Sequence, residues 1–160
     1  MTSVDVALGG SRFFVTGATG FLGTALVERI LRTIPDSEVV LLVRPGRRSS
    51  PTERIRREVL KNDCFDRLRE ELGHAFDDAL ARRVTAVAGD VGSDGLGLDD
   101  DGLAALARCD VVVHSAATVS FDAPLDAAVE VNLLGPSRVA ATLRRLNPGA
   151  HLVAVSTAYV

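Results

Sequence analysis

Apolar residues along this chain follow two alternating patterns. Five short runs are rich in β-branched and aromatic residues: "RFFVTG" (Arg12–Gly17), "EVVLLV" (Glu38–Val43), "VTAVAGD" (Val84–Asp90), "DVVVHS" (Asp110–Ser115) and "HLVAVS" (His151–Ser156). Each is nearly continuous in apolar character, as expected of a strand buried on both faces. The stretches between them repeat at helical spacing. In "FLGTALVERILRT", Leu22, Leu26 and Ile30 predict a crossover helix with those residues on its buried face. Strands alternating with helices predict βαβ units, and hence an α/β fold with a doubly wound parallel sheet in the order 3-2-1-4-5.

The connection from Arg44 to Arg83 is longer than one crossover helix needs. "SPTE" at Ser50–Glu53 forms a capping box with proline at the first helical position. Ile55 and Val59, then Phe65, Leu68 and Leu72, then Phe76 and Leu80 predict three short amphipathic helices, an insertion over about 45–83. "DDDG" at Asp99–Gly102 lacks the spacing of a calcium loop and reads as a helix N-cap. The stretch "LDAAVEVNLLGPSRVAATLRRL" carries Gly135-Pro136 in its middle, where proline is predicted to bend the helix.

Composition narrows the class. A chain of 160 residues, 47% apolar and 24% charged, fits one soluble globular domain. The net charge of −3 gives no reason to expect a nucleic-acid partner. No apolar run reaches the roughly 18 residues of a membrane span, and the N-terminus lacks the form of a secretory signal. Cys64 and Cys109 stand apart, without metal-site spacing, and read as two buried or inert thiols in a reducing, cytoplasmic setting.

The first strand runs into "TGATGFLGT". Gly17, Gly20 and Gly23 then sit between a predicted strand and a predicted helix. In that context Gly17 permits a sharp turn, Gly20 lets backbone approach a pyrophosphate, and Gly23 allows close helix–strand packing. The helix N-terminus adds free N–H groups and a positive dipole. No Lys-Ser/Thr follows the last glycine, which excludes a P-loop. Where an NAD site usually has an acidic residue, strand two ends in Val43-Arg44, with Arg47 and Arg48 beyond. A guanidinium suits the 2′-phosphate of NADP, so NADPH is the expected cofactor.

These landmarks, with "LLVRP", "LKNDCFDRLRE", "VAGDV", "HSAATVSFD", "VNLLG" and "VSTAYV", resemble the extended short-chain dehydrogenase/reductase superfamily, and within it the fatty acyl-CoA reductases of the male-sterility and thioester-reductase family. The resemblance implies a Rossmann domain whose turn, Thr16, Gly17, Thr19, Gly20, Phe21, Leu22 and Gly23, holds the cofactor with Arg44. It implies that Asp90 meets the adenine amino group beside Val91. Ser115, Ala116 and Ala117 would line the ribose and pyrophosphate edge, and Asn132 would lie near the nicotinamide. Thr157, next to Ser156, matches the catalytic Ser/Thr, and no metal is implied. On the residues alone, Asp90 also fits a turn aspartate, Asn132 a group that satisfies backbone at the bend, and His114 a satisfied core histidine.

The family chemistry needs Tyr-x-x-x-Lys beyond strand five, a pair that Tyr159 and Lys61 do not form. The chain therefore reads as the N-terminal, cofactor-binding part of a longer reductase, inactive on its own. The whole enzyme would reduce a long-chain acyl-CoA thioester to the aldehyde or alcohol. The alternatives are a reductase of carrier-bound thioesters and a dinucleotide sensor without catalysis.

Overall fold

The computed structural model describes residues 3–46, 49–120 and 122–157; Arg47, Arg48 and Tyr159 lie outside the described residues. A short helix α1 (Val4–Ala7) precedes β1 (Arg12–Thr16), α2 (Phe21–Thr33) and β2 (Glu38–Val43). The insertion follows as α3 (Pro51–Glu58), α4 (Asp66–Leu72) and α5 (Phe76–Arg83), joined by single 3-10 turns. Then come β3 (Val84–Ala88), α6 (Asp100–Ala107), β4 (Val111–His114), α7 (Leu125–Ala128), α8 (Gly135–Leu146) and β5 (His151–Ala154). All four strand pairings are parallel, and the order is β3-β2-β1-β4-β5, as the alternation predicts. All strands but β2 stop one or two residues short of their runs, so Gly17, Asp90 and Ser115 fall on the loops at their carboxyl ends.

The continuous apolar runs bury both sheet faces. Phe13, Val15, Leu41 and Val113 pack under α2 and the insertion; Phe14, Val40, Leu42 and Val112 pack under α6 and α8. Within the insertion, Ile55, Val59, Phe65, Leu68, Phe76 and Leu80 are buried at the predicted positions. Its start is the predicted capping box: Ser50 Oγ accepts the Glu53 N–H and the Glu53 carboxylate accepts the Ser50 N–H. Its end is clamped by Arg83, which donates to the Ser37 and Ile34 carbonyls and to Ser37 Oγ.

Two expectations need correction. The buried face of α2 is Gly23, Val27, Ile30 and Leu31; Leu26 is only partly buried and Leu22 is 46% exposed. Close packing of Gly23 on the turn rotates the helix away from the face its leucines suggested. Pro136 does not bend a helix interior. It sits in the first turn of α8, after a π-helical segment Val129–Leu134, so its missing N–H falls where the ladder is already interrupted. Cys109 is buried and its thiol pushed up to about 12, chiefly by desolvation, whereas Cys64 is exposed. Desolvation and then the charges of Glu28, Asp63 and Asp66 raise the Cys64 thiol, so exposure does not make it a thiolate. Asp99 caps α6 as expected, accepting the Gly102 N–H at 2.8 Å.

β5 is an edge of the sheet, with Val153 and Val155 each 40% exposed. An apolar edge without proline invites strand-to-strand association. The 160-residue chain made alone is expected to form oligomers by light scattering, and Val153→Lys to shift it toward monomer. A monodisperse monomer of the parent chain would refute the edge argument.

Candidate functional site

The glycine turn is built by close approach. Gly17 has φ +74°, and a Cβ there would lie 2.6 Å from the backbone nitrogen of Ala116. A Cβ on Gly23 would lie 2.1 Å from the Gly17 carbonyl oxygen. No other residue fits either place. Gly20 differs: as the N-cap of α2 it has extended backbone, and a Cβ would meet only the Gly17 oxygen, at 3.3 Å. The first turn of α2 has neither a side-chain cap nor an acidic residue, so the helix itself supplies nothing that satisfies its N–H groups or its positive dipole end.

Beside this turn lies a cleft of about 360 Å³. It brings together Gly17, Thr19, Gly20, Arg44, Asp90, Val91, Ser115, Ala116 and Ala117, nine of the residues singled out from the sequence. Thr16 is fully buried beneath it, while Phe21 points away at 97% exposure. Leu22, Gly23 and Asn132 also lie outside its lining. Thr157 is exposed beyond β5 and does not line the cleft either. A larger groove of about 780 Å³ lies in the insertion, between Arg56 and Leu60 on one side and Phe76, Leu80 and Val84 on the other, and shares no residue with the glycine turn.

The sequence missed Arg54, Leu42, Val43, Thr118, Ala127 and Val131, which complete the lining. Arg54 comes from α3. Its Nη1 donates to the Arg44 carbonyl at 2.6 Å, and its Nε and Nη2 hold Glu58 at 3.1 and 2.7 Å. Those bonds, with one from Arg57, hold the Glu58 carboxyl down at about 2. The capping box that starts α3 was the available signal, since it places Arg54 one turn into a helix that starts beside the end of β2. The Arg44 side chain itself makes no ion pair among the described residues.

Asp90 serves its own turn, accepting the Gly92 N–H on Oδ1 at 2.8 Å, and also lines the cleft. Asn132, displayed by the π-helical segment, accepts the Thr118 N–H at 2.8 Å and donates to the Thr118 carbonyl at 2.9 Å. It thus holds the loop after β4 and not the cleft. His114 is buried and bonded, its pKa lowered by burial.

A parallel sheet with a glycine turn opening a helix, and a cleft at the carboxyl ends of its strands, defines a Rossmann-type dinucleotide-binding domain. The chain belongs to the NAD-binding family described as "Male sterility protein", whose model matches residues 15–160. It is 32% identical over 155 residues to fatty acyl-CoA reductase 2, chloroplastic, and 38% identical over 150 residues to fatty acyl-CoA reductase 8, both of Arabidopsis thaliana. These alignments take in 96% and 91% of this chain but 25% and 30% of those proteins. Among solved structures it resembles the terminal R domain of the myxalamid PKS-NRPS pathway (29% identity, TM-score 0.69) and the reductase domain of a non-ribosomal peptide synthetase from Mycobacterium tuberculosis (34%, 0.66). Both comparisons cover 92% of this chain and about a third of the other (34% and 33%). The family is one of oxidoreductases, with a nicotinamide dinucleotide as cofactor. No helix among the described residues is long and apolar enough to cross a membrane.

The three glycines should separate on mutation. Gly23→Ala must displace backbone and is expected to cost at least about 1–3 kcal/mol of stability in denaturant unfolding. Gly20→Ala is expected to leave stability within about 0.5 kcal/mol yet to weaken dinucleotide binding measured by titration. Equal effects of the two on stability would refute the different roles.

Proposed function

We propose that this chain is the cofactor-binding part of an NADPH-dependent reductase of long-chain acyl-CoA thioesters, whose product is the fatty aldehyde or alcohol. The observation that carries the cofactor choice is the end of β2. Arg44 lines the cleft without a carboxylate partner among the described residues, and Arg54 fastens its carbonyl from the side. The residues fit the group. The Arg44 guanidinium would offer a charge-assisted donor to a 2′-phosphate, and Gly20 leaves room over the helix N-terminus for a pyrophosphate. Asp90 and Val91 would meet the adenine, and Ser115, Ala116 and Ala117 the ribose and pyrophosphate edge. Asn132, through its grip on Thr118, would shape the nicotinamide end.

When bound, the cofactor supplies hydride to the thioester carbonyl carbon. The chain's own part is to bind, orient and polarise. Thr157 would donate a hydrogen bond to the carbonyl oxygen as charge gathers there. The proton donor would be the family's Tyr-x-x-x-Lys pair, which these 160 residues do not contain at that spacing. The chain spans a quarter to a third of the length of the relatives it matches, so acyl recognition belongs to the longer protein in this reading. A carrier-bound thioester is the second reading, supported by the likeness to the two synthetase reductase domains. A reducing, cytoplasmic setting is part of the proposal, supported by two cysteines that stay unbridged.

NADPH is expected to bind about ten- to a hundredfold more tightly than NADH, and Arg44→Ala to remove about 1.5–3 kcal/mol of that difference. Equal affinities in the parent protein would refute the NADP assignment.

In a protein extended to the length of its relatives, turnover of acyl-CoA is followed by loss of NADPH absorbance. Thr157→Val is expected to lower kcat about 10²–10³-fold with dinucleotide affinity unchanged. Tight dinucleotide binding without turnover of acyl-CoA or carrier-bound thioesters would favour the sensor.

A further inference from the structure

His114 is a large buried polar side chain that the cleft does not use. It closes β4 at 2% exposure, on the same sheet face as Val112, and stands in register with Thr16 of β1 and Ala154 of β5. Its Nδ1 lies 2.8 Å from Thr16 Oγ1. That same oxygen accepts the Ala116 N–H at 3.3 Å. The Thr16 carbonyl accepts the Ser115 N–H at 3.3 Å and the Ser115 hydroxyl at 2.9 Å. Gly17 follows immediately, with no space for a Cβ against Ala116. Among the described residues, the hydrogen bonds between the end of β1 and the loop after β4 all run through Thr16.

The hydroxyl of Thr16 has one proton to give. With one lone pair taken by Ala116, the tautomer with its proton on Nε2 accepts that hydroxyl hydrogen bond at Nδ1. Resting on the dinucleotide reading above, we propose that neutral His114 is a positioning residue for cofactor binding: it accepts the hydrogen bond of the Thr16 hydroxyl, turns the oxygen toward Ala116, and so sets the spacing between the glycine turn and the Ser115–Ala117 loop. It touches no cofactor itself. Its effect passes through Thr16 to the two backbone segments that would flank pyrophosphate and ribose.

Protonation would reverse the polarity of this contact. Nδ1 would become a donor, and Thr16 would have to turn its hydroxyl proton away and accept with its second lone pair, changing the orientation it offers Ala116. The surroundings do not stabilise the charge. β1 and β5 set Thr16 and Ala154 beside the ring, and the helices on this face bury Leu106, Val139, Thr142 and Leu143. Among their charged groups, Arg138 is held by Asp94 and Glu130, and Asp100, Asp101, Arg144 and Arg145 are exposed. Burial alone moves the ring, pushing its pKa below the ordinary 6.5. Since the folded value lies below the unfolded one, stability is lost as pH falls below 6.5 and is unaffected above it. Binding that needs the neutral ring weakens in the same direction.

The test is calorimetric titration of the chain with NADP+ and NAD+ at about pH 7.5 and about pH 5.5, either side of an ordinary histidine. The parent is expected to lose affinity at the lower pH, by less than the roughly tenfold that an unshifted histidine would give, because burial lowers its pKa. His114→Asn keeps an acceptor near Nδ1 and cannot titrate in this range. It is expected to hold the parent's affinity at the higher pH and to escape the histidine part of the loss. The 2′-phosphate of NADP+ also titrates near pH 6, equally in both proteins, so the difference between their profiles belongs to the ring. His114→Leu and Thr16→Val are each expected to weaken binding about tenfold at the higher pH, and the double variant little further.

Thermal unfolding without ligand separates lost binding from lost fold. Should His114→Leu unfold, the comparison of parent with His114→Asn still decides. Superimposable pH profiles for those two would overturn the role of His114. A parent that binds neither dinucleotide at either pH would overturn the dinucleotide reading first, and this inference with it.

Discussion

The architecture turns on a place where side chains are forbidden. Between Gly17 and the Ser115–Ala116 backbone, and between Gly23 and the Gly17 carbonyl, there is no room for a single methyl group. Those two contacts bring the end of β1, the start of α2 and the loop after β4 within hydrogen-bond reach of one another. Thr16 then fastens them with both its hydroxyl and its carbonyl. The contact leaves the N-terminus of α2, uncapped by any side chain, as one wall of a cleft. A helix end with bare N–H groups is costly unless water or an anion meets it, and here the fold leaves that place to solvent or ligand.

Much of this was legible because buried parallel strands have a composition that little else has. Five runs without alternation, joined by helical periods, leave few topologies once connections are right-handed and short. The insertion was legible for a different reason. Its capping box and its i, i+3, i+4 apolar spacing are local signals, and local structure follows them. What failed depended on contacts between distant residues. The leucines of α2 suggested one buried face, but the nearness of Gly23 to Gly17 sets the rotation, and the helix buries Val27 and Leu31 instead. Pro136 suggested a bend within a helix, yet the chain widens into a π turn first and uses proline as a start.

The site divides along the same line. Glycines, Asp90 and the Ser115–Ala117 loop lie at strand ends, where any parallel sheet collects its binding residues, so their placement followed from the strand order. Arg54 did not, because no periodicity links an insertion helix to the end of β2. Asn132 was legible as a residue that matters, but its partner was not. Its amide is spent on both polar groups of the Thr118 backbone, which defines the loop after β4 without reaching the cleft.

The insertion is therefore more than an ornament on the sheet. It covers one face with its buried Ile55, Val59, Phe65 and Leu80, and its first helix carries a guanidinium back to the rim of the cleft. Glu58 matters to that placement. It takes two of Arg54's donors and holds the side chain in one geometry, while the third reaches the Arg44 carbonyl. A partly buried pair of this kind adds little stability of its own, since the Coulomb gain is offset by desolvation and side-chain ordering. Its value is orientation. An arginine already ordered before an anion arrives loses less conformational freedom on binding, so the Arg54–Glu58 pair can sharpen the affinity of the cleft while the buried apolar residues of the insertion stabilise the sheet.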